Sequence, residues 1–100
     1  MQFEWDPLKA LSNLRKHGIS FDDAAQVFDD PFALRVDDLK HSSPSEHRMY
    51  QIGECGERLL VVVFILRGSG AMKRIRIISA RAANKRERIL YEFNKRIPVS

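Results

Sequence analysis

Hydrophobic and polar positions change period several times along this chain, and each change marks an element. Met1 to Trp5 is short, aromatic and extended in character, and reads as a first strand. Asp6-Pro7 then starts a helix, with Asp6 as N-cap and Pro7 at the first helical position, where a missing N–H costs nothing. Leu8, Leu11 and Leu14 recur on one face with Ala10 beside them, the predicted buried stripe, while Lys9, Arg15 and Lys16 take the other. His17-Gly18 ends the helix: Gly18 suits the left-handed position after a C-terminus, and the cations of the last turn favour the helix dipole. Ser20 caps a second helix, with Asp22 and Asp23 in its first turn and Phe21, Ala24, Ala25 and Phe28 as its apolar stripe. Asp29-Asp30-Pro31 stops it, because a residue before proline avoids the helical region.

From Phe32 the period becomes two. Phe32, Leu34 and Val36 alternate with Ala33 and Arg35, and Asp37 to Ser45 forms a polar loop. Alternation resumes from Glu46 to Gly53 through Met49/Tyr50 and Ile52, and Gly53 to Glu57 is a turn. Leu59 to Leu66 has no polar face, which predicts a central strand covered on both sides. After a turn at Arg67 to Gly70, Met72 to Ala80 is the last strand. Its alternation places Arg74 and Arg76 with Ile78 on one face and Ile75, Ile77 and Ser79 on the other. Asn84, with Glu87 three residues on, announces a final helix from about Lys85 to Arg96, predicted to bury Ile89, Leu90 and Phe93; Pro98 marks the tail. The tight turns imply an antiparallel meander. The predicted fold is α+β: two N-terminal helices, an antiparallel, twisted sheet of four to five strands, and a C-terminal helix, all in one domain over residues 1–100.

Charge changes this picture more than composition does. A 44% apolar and 30% charged chain is that of an ordinary globular protein. The net charge of +4 hides an asymmetry: residues 1–70 carry eight Lys/Arg against eleven Asp/Glu, residues 71–100 nine against two. That distribution points to a polyanion, although the acidic front neutralising the basic back in the folded state is a competing reading. Lys85 and Arg86 directly follow the Asn84 cap, where the helix dipole disfavours cations, so an anion is expected close by. Arg74 and Arg76 are expected on an open sheet face, with Arg67 and Arg81 at or just beyond strand ends. Arginine suits phosphate because its planar fork donates two charge-assisted bonds.

Several chemistries are absent from the pattern. Cys55 is alone, so no intramolecular disulfide forms and a zinc site would lack thiolate partners; a reducing cytoplasm fits. No histidine pair has metal-ligand spacing, and no phosphate-binding glycine loop, nucleophile elbow or aromatic RNA-recognition signature occurs. No cofactor or metal is expected. The longest apolar run is too short for a bilayer, and the N-terminus lacks a signal-peptide core, so no membrane association is expected. His41 and Glu46, at either end of the polar loop, are the candidates for proton transfer.

Consecutive residues in several segments resemble a known family. Phe3-Glu4-Trp5-Asp6-Pro7, Asn13 through Phe21, and Val27-Phe28-Asp29-Asp30-Pro31 are similar to the opening of the BrnT toxins. So are Glu46-x-Arg48, Ile52-Gly53, Arg76 through Ala82, Glu87-Arg88 and Tyr91. One departure is Gly68 to Met72, longer than the family's usual tight turn. The resemblance implies a RelE-like fold and a ribonuclease toxin of a type II toxin–antitoxin system, arresting translation. It also implies a BrnA-like antitoxin with a ribbon-helix-helix region, a hetero-oligomer with it, and operator DNA bound only through that complex. Metal-independent RNA cleavage would then use Arg67 and Arg81 to stabilise the phosphorane, with Arg48 as a third. His41 or Glu46 would transfer protons, and Arg74, Arg76, Lys85 and Arg86 would hold the RNA backbone. Two readings compete: a toxin of this fold that binds a protein such as DNA gyrase, and a non-enzymatic nucleic-acid-binding module.

Overall fold

The computed structural model describes residues 2–97, so Met1 and the Pro98 tail lie outside it. Three helices and five strands follow in the order β1 (Gln2–Glu4), α1 (Pro7–His17), α2 (Phe21–Ala25), β2 (Leu34–Asp37), β3 (Arg48–Cys55), β4 (Arg58–Arg67), β5 (Arg74–Ala82) and α3 (Lys85–Arg96). The caps form as the sequence implies. Asp6 accepts from the Leu8 N–H, Ser20 from the Asp23 N–H, Gly18 takes φ 70°, and Asn84 and Glu87 complete a reciprocal capping box.

One sheet carries everything, in the order β1-β5-β4-β3-β2. The α+β class and the antiparallel meander of β2 to β5 are as expected. The sheet as a whole is mixed, because β1 lies parallel to β5 with Phe3 opposite Ile75. No hairpin sets the direction of β1; the chain leaves it into α1 and α2 and returns at the opposite edge. α1 and α2 cover one sheet face over Leu60, Val62, Phe64, Ile75, Ile77 and Ala80. Part of the other face is closed by α3, through Tyr91 over Ile52, Leu59 and Val61. β4 is covered on both sides where α3 lies over Leu59 and Val61, while Val63 and Ile65 carry the same face beyond the helix.

Three expectations about facing are overturned. A bulge lies where Val63 pairs with Ser79 and Phe64 with Ile77, leaving Ile78 as the extra residue. It resets the alternation: Ser79 and Arg81 join Arg74 and Arg76 on the α3 side of the sheet, while Ala80 joins Ile75 and Ile77 in the core. On α1 the leucines are not the buried stripe. Leu8 is 76% exposed and Leu11 and Leu14 47% each, whereas Asn13 is buried. On α3, Ile89, Leu90 and Phe93 are exposed and Tyr91 alone is buried.

Asn13 faces inward because β1 is too short to cover the edge of β5. Its side-chain amide accepts from the Ala80 N–H at 3.0 Å and donates to the Ala80 carbonyl at 2.9 Å and the Ile19 carbonyl at 3.0 Å. It thus replaces a strand at that point. Asn13→Leu strands these buried backbone groups and is expected to cost about 3 kcal/mol, since each orphaned group costs about 1–3 kcal/mol. Urea unfolding checks this, and a loss below about 1 kcal/mol would show the edge to be satisfied otherwise.

Candidate functional site

Beyond the reach of α3, the same sheet face is open, and the strand register gives its floor. Tyr50, Val63 and Ser79 form one row across β3, β4 and β5. The next row toward the β4–β5 turn is Arg48, Ile65, Arg76 and, on β1, Glu4. The last is Arg67, Arg74 and Gln2. Arg81 sits two rows the other way from Arg48, opposite Val61 and beside α3. The long connection after Arg67 includes a short 3-10 turn at Gly70–Met72 and leaves Arg67 directly opposite Arg74.

The five arginines of this face differ in how their charge is answered. Arg81 is held by Glu87 in a two-pronged pair of 2.7 and 2.6 Å. Donating these bonds to Glu87 raises the pKa of Arg81, and accepting them lowers that of the Glu87 carboxyl. Glu4 accepts from both Arg74 and Arg76, the latter at 2.7 Å, which lowers its pKa in turn. Arg48 reaches Glu46 at 3.4 Å, and its buried Nε has no hydrogen-bond partner among the described residues. Arg67 is exposed and makes no ion pair among the described residues. Three carboxylates therefore answer four of the arginines, and among the described residues none answers Arg67.

The geometry separates two residues that the sequence reading put together. Arg67 and Arg81 stand at opposite ends of the β4–β5 hairpin, six residues apart along β4. At about 3.3 Å per residue that is roughly 20 Å, too far to grip one phosphate. Glu46 and Arg67 instead share a polar notch of about 80 Å³ with Ser45, His47, Ile65 and Leu66, and Arg48 borders it through Glu46. His41 lies in the loop beyond, its Nδ1 3.0 Å from Asp38. His47 pairs likewise with Asp37 at 2.9 Å.

Lys85 and Arg86 project from the first turn of α3 and are exposed. The anion expected at that helix end is present within the chain. It is Glu87, shared between the Asn84 N–H and Arg81. The sequence reading missed Tyr50 and Ser79 as floor residues. Tyr50, two residues from Arg48 on an alternating strand, carried a usable signal; Ser79 did not, because the bulge reverses its side.

Among the described residues no helix is long and apolar enough to cross a membrane. A comparison with curated proteins gave no match. The family model of the ribonuclease toxin BrnT, of type II toxin–antitoxin systems, matches residues 5–87. That span takes in α1, α2, strands β2 to β5, the notch around Glu46 and Arg67, and the Arg81–Glu87 pair. This chain belongs to the BrnT family of ribonuclease toxins of type II toxin–antitoxin systems.

Proposed function

We propose that the chain is a metal-independent endoribonuclease whose chemistry occurs at the Glu46–Arg48–Arg67 end of the open sheet face. The observation that carries this is the notch shared by a carboxylate and an unanswered arginine, with a second arginine bonded to that carboxylate. Glu46 takes the proton of an RNA 2′-hydroxyl, and the 2′-oxygen attacks the adjacent phosphorus as the bond to the 5′-oxygen breaks. Arg67 and Arg48 stabilise the charge on the phosphorane, which is the largest part of the rate enhancement. The departing 5′-oxygen takes a proton from His41 or from the acid form of Glu46. The products are a 2′,3′-cyclic phosphate and a 5′-hydroxyl.

In this reading Arg81 is a positioning residue that ties α3 to the sheet. Arg74 and Arg76, each half-neutralised by Glu4, hold the RNA backbone with Lys85 and Arg86. Binding is then strongly salt-dependent. The chain acts as one toxin domain in the cytoplasm. Its antitoxin is a BrnA-like ribbon-helix-helix protein, and operator DNA is reached only through that complex.

Replacing Glu46 with Gln separates base chemistry from binding. Glu46→Gln is expected to lower kcat about a hundredfold and leave KM within about threefold. Steady-state cleavage of a labelled oligoribonucleotide reads both. An unchanged kcat would assign the base elsewhere.

A further inference from the structure

α3 has two sides, and the fold uses one. Tyr91, Asn94 and Lys95 face the body of the protein: Tyr91 is fully buried, Asn94 donates to the Phe32 carbonyl, and Lys95 lies 5.3 Å from the Phe32 ring centre. The other side carries Ile89, Phe93 and Ile97 at four-residue spacing, with Leu90 beside them, exposed by 60, 68, 50 and 46%. Residues four apart on a helix lie on one face, so these form a continuous apolar stripe. Arg88 and Arg96 line a shallow groove with Ile89 and Phe93, in which Glu92 is the one carboxylate. All of these residues lie beyond Glu87, where the family match ends, so family membership alone does not account for them.

We propose that this stripe is the docking surface for the antitoxin, taking an amphipathic acidic helix. Its apolar side chains would lie along Ile89, Phe93 and Ile97, and its carboxylates would meet Arg88 and Arg96. This rests on the toxin–antitoxin reading and is independent of how RNA is cleaved. Charge selects the occupant. A second copy of this chain would bring Arg88 and Arg96 against their own counterparts, a like-charge arrangement that interfaces avoid. An RNA strand would satisfy the cations and leave Ile89 and Ile97 without apolar partners. An acidic amphipathic helix satisfies both and is a recurrent way of filling such a surface.

The test uses full-length protein and the full-length antitoxin encoded with it, refolded separately and titrated by calorimetry. Ile89→Asp with Phe93→Asp is compared with Leu8→Asp with Leu11→Asp, which places the same charges on the exposed leucines of α1. The stripe variant is expected to bind the antitoxin at least a hundredfold more weakly and to stop growth even when the antitoxin is co-expressed. The α1 variant should bind within threefold of wild type. Unchanged affinity of the stripe variant overturns the proposal, as does a loss confined to the α1 variant. A wild-type homodimer that dissociates in the stripe variant, with antitoxin binding intact, assigns the stripe to a second copy instead. Should the stripe variant not fold, hydrogen exchange on the wild-type pair decides: slowed exchange over α3 supports docking, and unchanged exchange overturns it. If antitoxin binding is lost as expected but wild-type protein cleaves no RNA, the ribonuclease reading fails and this one stands.

Discussion

Arg67→Ala is expected to lower kcat for RNA cleavage by about a hundredfold to a thousandfold, the usual loss for one donor at a developing oxyanion. Its melting temperature should stay within about 3 °C of wild type, because an exposed side chain without an ion pair contributes little to folding. Arg81→Ala should do the reverse. The Arg81–Glu87 pair ties the end of β5 to the first turn of α3, so its loss should loosen the helix and reduce activity by no more than about tenfold. Single-turnover kinetics beside thermal melts separate the two outcomes. If Arg81→Ala abolishes cleavage without loss of stability and Arg67→Ala does not, the chemistry belongs at the α3 end of the face.

The largest stability effect is expected at Tyr91. It is the one buried side chain of α3, packed with Ile52, Leu59 and Val61, and its hydroxyl donates to Asp30 at 2.7 Å. Tyr91→Ala should cost about 4 kcal/mol, at the level of other large aromatic truncations. Tyr91→Phe, which removes only the hydroxyl's bond to Asp30, should cost about 1–2 kcal/mol. The anchor is also acid-sensitive. Burial raises the Asp30 pKa, but bonds from the Glu54 N–H, Tyr91 hydroxyl and Phe32 N–H outweigh it, leaving the carboxyl below its ordinary value. Glu87 is lowered as well. A carboxyl depressed in the folded state contributes stability that is present above its unfolded pKa and lost as pH falls through the folded value. Stability should therefore decline below about pH 4, and the decline should be shallower in Tyr91→Phe, where Asp30 loses one of its donors. Urea unfolding at pH 3 and pH 7 measures both effects.

What the sequence disclosed follows from which interactions are local. Caps at Asp6, Ser20 and Asn84 depend on residues two or three positions away, and all three formed as read. The unbroken apolar run of β4 reported its own burial. Facing was harder to read. The bulge at Ile78 inserts one residue that no alternation count contains, and so Arg81 emerges beside α3 instead of in the core. Asn13 is buried because of an edge that β1 leaves uncovered, a long-range cause that helical periodicity does not carry. The leucines of α1 and the stripe of α3 satisfy the same periodicity as a core face while pointing outward. The separation of Arg67 from Arg81 was legible in principle: counting from the turn puts one beside it and the other far along the strand. The notch at Glu46 was not, because it depends on how the loop folds against the end of β4.

The most direct measurement is cleavage by the purified chain, in a chelator, of a 5′-labelled oligoribonucleotide, beside the same oligonucleotide carrying a 2′-deoxy sugar at the cut site. Continued cleavage, with a 2′,3′-cyclic phosphate on the product and no cut at the deoxy position, is the result predicted for a metal-independent ribonuclease driven by the 2′-hydroxyl. RNA left intact, cleavage abolished by the chelator, or equal cutting at the deoxy position would contradict it.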